Sequence, residues 1–100
     1  MNDAAGEVLA LEGPLSFETI PAVLAQSADY AARGDLPDRL TIDFAKVGAV
    51  DSSAVALLLE WRRQAARRGK KLVFVNLPAN LVALATLYGV EDLIQPNAPA

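Results

Sequence analysis

The stretch "VGAVDSSAVALLLEW" (residues 47–61) decides the fold, because it places Asp51, Ser52 and Ser53 directly before a long apolar run. Asp and Ser accept hydrogen bonds from the free amides of a first helical turn, so a helix starts here after a strand. Projected at about 100° per residue, Leu57, Trp61, Ala54, Ala65, Leu58, Val55, Ala66 and Leu59 cover an apolar arc of roughly 200°. Ser52, Ser53, Glu60, Arg63, Gln64 and Arg67 hold the opposite face. One sheet needs little more than half of that arc. The surplus either packs on a neighbouring helix of the same domain or leaves a Leu57/Trp61 edge for a partner. In so short a chain one helix is hard to wrap on many sides, and Trp is enriched at interface hot spots. The expectation is therefore an exposed Leu57/Trp61 edge.

The "DSS" triplet has two readings. As a helix cap it is fully accounted for by the first-turn amides. As a site, it lies where an added phosphate is best tolerated, since the amides and the helix dipole both favour negative charge. Tandem hydroxyls in a loop after a strand are also open to a kinase.

Upstream, "EVLALEG" alternates weakly and stops at Gly13-Pro14, which predicts a strand over 7–11, a turn, and a short second extended piece over 15–17. Ile20, Val23, Leu24, Ser27, Ala28 and Ala31 then form one helical stripe, so a helix is expected from about Thr19, its cap, to Arg33. In "RLTIDF", Leu40, Ile42 and Phe44 alternate against Thr41 and Asp43, as in a strand with one apolar face. Downstream, "KLVFVN" is almost continuously apolar and reads as a strand covered on both faces. "PANLVALATLYG" reads as a helix with Asn80 as cap, a stripe of Leu81, Leu84, Ala85 and Tyr88, and Gly89 as terminator. The order is β-β-α-β-α-β-α, a small α/β sandwich with a frayed "QPNAPA" tail.

A chain of 100 residues without a linker is one domain spanning 1–100, with its core over about 7–94 and short tails. The apolar fraction is 53%, yet the longest uninterrupted run, 54–59, ends at Glu60, far short of the roughly 20 residues of a membrane span. "MNDAAGEV" has no basic and apolar leader, so the protein is expected to be soluble and cytoplasmic. The absence of Cys and His excludes disulfides, thiolate metal sites, hydrolase triads and His-dependent phosphotransfer. No catalytic residue, metal site or cofactor is predicted. The net charge of −3 speaks against nucleic acid as a partner. Locally, six of the nine basic residues fall in "RRQAARRGKK" (62–71), either a solvated helix face with Glu60 as ion partner or a docking patch for an acidic partner.

"VDSSAVALLLEW", with "RRGKKLVFVN" and "LYGVEDLI" beyond it, resembles the STAS domain, the sulfate-transporter and anti-sigma-factor-antagonist family, over residues 7–94. With "GPLSFETIPAVL" at the first helix, the resemblance is greatest to the small cytoplasmic subunit of Mla-type phospholipid ABC transporters. It implies a small mixed β-sheet with helices packed on it and a non-enzymatic protein. It also implies a partner-binding surface at Asp51, Ser52, Ser53 and Ala54, with Leu57 and Trp61 beside it. The implied partner is the transporter's ATPase subunit with its permease, at the inner face of the inner membrane, in a machine that maintains outer-membrane lipid asymmetry. In anti-sigma-factor antagonists the loop reads Asp-Ser-Ser/Thr-Gly and the first serine is phosphorylated by an anti-sigma kinase. That serine corresponds to Ser52, while Ala54 replaces the glycine. Nucleotide binding has no support from a phosphate loop, because no GxxxxGK[ST] motif is present.

Overall fold

The computed structural model describes residues 6–94. The tails expected at 1–5 and 95–100 lie outside the described residues. The elements are β1 (Gly6–Leu15), α1 (Ile20–Ala31), β2 (Arg39–Val50), α2 (Ser52–Arg67), β3 (Lys71–Val75), α3 (Ala79–Leu87) and α4 (Glu91–Ile94). The three strands form one sheet in the order β1-β2-β3, and both pairings are parallel.

The α/β sandwich stands, with two corrections to its sheet. Among the described residues the pairings are all parallel, where a mixed sheet was expected, and the extended piece expected over 15–17 is not a separate strand. β1 instead runs on through Gly13-Pro14 to Leu15, with register breaks against β2 between Ala10 and Glu12 and between Gly13 and Leu15. At each break the extra residue lies on β2, where Asp43 to Lys46 faces Ala10 to Glu12 and Val47 to Val50 faces Gly13 to Leu15, so β2 bulges while β1, with Gly13 at φ +84°, runs on without reversing. Pro14 is tolerated because β1 is paired only with β2 among the described residues.

Register sorts the side chains. Leu40 pairs with Leu72 and Ile42 with Phe74, and aligned residues of parallel neighbours point to one side of the sheet. These four and Phe44 are buried, and the Phe44 and Phe74 rings meet edge-on, 5.6 Å apart. The helices lie over this side, with α2 at their centre, touching α1, α3, α4 and β3.

The opposite side is left open: Val8 is 64% exposed, and Thr41, Val73 and Val75 are only half-buried. This overturns the expectation that "KLVFVN" is covered on both faces. The reason is topological: strands laid down in sequence order by crossovers of one hand place every crossover helix on the same side.

The end helices also differ from expectation in detail. α1 buries no residue completely; Ile20, Val23, Ser27 and Tyr30 face inward, whereas Leu24 and Ala28 of the expected stripe are exposed. Thr19 is the N-cap residue but makes no side-chain cap bond. α3 begins after Pro78, so Asn80 lies inside the helix and is not its cap. Leu81 and Ala85 are buried and Tyr88 is exposed. Gly89, at φ +72°, ends the helix as expected.

One polar cluster ties α1 to β1. Tyr30 donates its hydroxyl to Glu7 at 2.9 Å, and Arg33 grips both oxygens of Glu7 at 2.7 and 3.2 Å. Arg33 chiefly, then Tyr30, holds the Glu7 carboxyl below its usual range. Burial, followed by the Glu7 contact, pushes the Tyr30 phenol up to about 12.

Candidate functional site

The loop between β2 and α2 is built around one carboxylate. Asp51 has extended backbone (φ −132°, ψ −173°), which turns its side chain back over the first helical turn. Its Oδ1 accepts the Ser53 amide at 2.9 Å and also the Ser53 hydroxyl. Its Oδ2 reaches across to β1's far end and accepts the Phe17 amide at 2.8 Å. The Asp51 amide donates to the Leu15 carbonyl at 3.2 Å, so backbone and side chain together lace the two loops.

The partner loop is locked from its own side. Ser16 donates its amide to the Thr19 hydroxyl oxygen at 2.9 Å, and that hydroxyl donates to the Pro14 carbonyl at 2.9 Å. Thr19 therefore shapes the turn before α1 where a cap was expected. The turn holds Phe17 with 80% of its surface exposed, beside Asp51.

Donors converging on Asp51 keep its carboxyl below the usual carboxylate range, the Ser53 hydroxyl first, then the Phe17 amide. A carboxylate stabilised in its ionised form is a poor proton acceptor, and its oxygens are already committed to holding the loop. The Asp51 carboxylate thus fixes the junction between the two loops. Among the described residues, no cluster of three or more Asp or Glu side chains is placed to hold a metal ion.

The predicted site residues separate into two groups. Ser52 is exposed, and Asp51 and Ser53 are partly so, which brings these three to the outer surface together. Ala54 is fully buried, so its methyl belongs to the core. Leu57 and Trp61 are 3% and 6% exposed, and the expected apolar edge does not exist. Its breadth is used internally: α1 lies along one flank of α2, and α3 with α4 lie along the other. The wide arc is the signature of the domain's central helix.

Phe17 went unpredicted. Its only signal is an aromatic within "LSFETI" that falls outside the helical stripe beginning at Ile20.

Comparison with known proteins agrees with this architecture. The family model described as "Mlab, STAS domain" matches residues 2–95. A search of curated proteins returns no match. Among solved structures, a sulfate transporter family protein from Wolinella succinogenes is similar in fold, with a TM-score of 0.72 at 17% identity. The alignment covers 92% of this chain and 73% of that one. With the family match spanning the helical core, the sheet and the "DSS" loop, the chain belongs to the MlaB-type STAS-domain family.

Proposed function

We propose that the protein is a non-enzymatic cytoplasmic adaptor that docks the paired loops, Ser16–Phe17 and Asp51–Ser53, on the ATPase subunit of an Mla-type ABC transporter. It thereby supports assembly or activity of a complex, with its permease at the inner face of the inner membrane, in phospholipid trafficking that maintains outer-membrane lipid asymmetry. The observation that carries this reading is the side chain of Phe17, 80% exposed yet fixed at its backbone by Asp51. A large apolar side chain on an anchored backbone loses less conformational entropy on binding than one on an unanchored loop, which suits a hot-spot anchor.

Co-expression with the ATPase and permease of an Mla-type transporter from the same organism tests the reading. The wild-type protein co-purifies with them. Phe17→Ala and Ser52→Asp each weaken the complex about tenfold or more, as expected of a hot-spot truncation and of charge placed in an interface. Undiminished complex formation by both variants removes the proposed surface.

A second reading is an anti-sigma-factor antagonist, within which the hydroxyl geometry supports Ser52 as the acceptor. Ser53 donates its hydroxyl to Asp51, whereas Ser52 stands exposed at the helix start. If the protein is an anti-sigma-factor antagonist, an anti-sigma kinase phosphorylates Ser52 and not Ser53. Phosphopeptide mapping after incubation with ATP and the candidate kinase decides it, and an unmodified Ser52 excludes this alternative.

A further inference from the structure

A second surface lies away from these loops, where the C-terminal half of α2 passes the outer edge of β3. There a groove of about 740 Å3 opens, with Leu59, Phe74 and Leu93 among its apolar walls. Four cations, Arg62, Arg63, Lys70 and Lys71, line it, and no acidic residue does. In a chain of net charge −3, that is a local reversal of sign.

Arg62 is the most telling of the four. Its guanidinium stacks over the Phe74 ring at 4.8 Å, and Nη1 donates to the Leu72 carbonyl at 3.0 Å. Nε and Nη2 are both shut off from solvent and have no acceptor among the described residues. Those two N–H groups form the side-on fork that takes a carboxylate in a bidentate grip. Arg63 is matched by Glu60 at 2.8 Å and Lys70 faces Asp38 at 3.6 Å, but no carboxylate among the described residues bridges to Arg62. Leaving buried donors unmatched is costly, and supplying the missing carboxylate relieves that cost.

β3 supplies the second half of the site. It is an edge strand, paired only with β2 among the described residues, so its other side is open to an extended chain. We infer that this groove is the docking site for an acidic, extended segment of a partner protein, which lies beside β3 and places a Glu or Asp carboxylate on the Nε/Nη2 fork of Arg62. Because the fork is closed to water, the carboxylate enters by displacing groove side chains. Half-exposed Leu93, on four-residue α4, is the wall on the shortest element.

The test is fluorescence anisotropy with a labelled peptide of alternating Val and Glu, and the same peptide with Lys for Glu. The Glu peptide binds, more weakly as salt rises, and the Lys peptide does not. Arg62→Gln weakens binding roughly tenfold or more, as expected when a buried charge-assisted pair is cut. Lys71→Glu, at an exposed position that does not endanger folding, weakens it as well, while Ser52→Asp on the other surface leaves it unchanged. Equal binding of both peptides, or binding indifferent to Arg62→Gln and Lys71→Glu, overturns the inference. So does a groove that ignores the Glu peptide yet binds vesicles rich in phosphatidylglycerol or a second copy of this chain.

Discussion

Asp51 acts on two segments with one carboxylate, and its pH dependence follows. Its folded value lies below the ordinary 3.8 because donors favour the ionised form. The stability it contributes is therefore present above the ordinary value and lost as pH falls through the lowered one. Glu7, Asp35 and Asp43 are shifted in the same direction by their own donors, Arg33 for the first two and Asn76 for the third. Urea midpoints are thus expected to fall steeply at acidic pH, and Asp51→Asn to flatten part of that fall. A profile unchanged by Asp51→Asn contradicts the lacing of the two loops. Tyr30 has the opposite sign. The neutral phenol is favoured in the fold, so its contribution is complete below the ordinary 10.0 and is lost as pH rises through about 12. Ultraviolet titration should show a late tyrosinate step that disappears in Tyr30→Phe.

At the scale of the element, α2 is a core helix, and its mutational response should be that of a core. Trp61 is the single tryptophan and 6% exposed, so native emission is expected to be blue-shifted and poorly quenched by iodide. Solvent-like emission would show the edge to be open after all. Trp61→Ala and Leu58→Ala each remove a buried side chain and should cost about 3–5 and 2–5 kcal/mol in chemical denaturation. Trp61→Phe should cost less than Trp61→Ala, since the indole N–H is buried without an acceptor and its removal forfeits no hydrogen bond. At Ala54, where the family's kinase-regulated members carry glycine, Ala54→Gly should cost about 1 kcal/mol from helix propensity, with some lost burial besides. The alanine is thus compatible with a rigid loop-to-helix junction whatever its partner.

For the molecule as a whole, one-sided layering sets the energetics and the surfaces. Helices cover one face of the parallel sheet and leave the other to solvent, so substitutions there should be mild. Val8→Thr is expected to change stability by less than about 0.5 kcal/mol, measured beside Leu58→Ala as the core reference. A large loss at Val8 would mean that the open face is covered in solution. The two proposed docking surfaces also sit on different elements, so their variants should separate in binding assays: Phe17→Ala without effect on the acidic peptide, Arg62→Gln without effect on the paired loops.

Periodicity and capping residues alone determined the existence of a helix within about 19–33 and of one starting at Ser52, the strands around Ile42 and Phe74, and the Asp51 cap, because each is a local competition between backbone amides, side-chain oxygens and apolar spacing. The STAS resemblance was legible for the same reason: its motifs are those local junctions. Local rules misread Gly13-Pro14 as a turn and Asn80 as a cap, where pairing with β2 and the start after Pro78 prevailed. Beyond the reach of sequence was everything that depends on what lies opposite. A helical wheel reports how wide an apolar arc is but not how many neighbours cover it, so Leu57 and Trp61 looked like a surface until α1, α3 and α4 closed around α2. Phe17 and the unmatched fork of Arg62 have no periodic signature at all. Only the tertiary structure decided them, by bringing Phe17 to a carboxylate 34 positions away and by setting Arg62 beside β3 with two N–H groups that find no acceptor among the described residues.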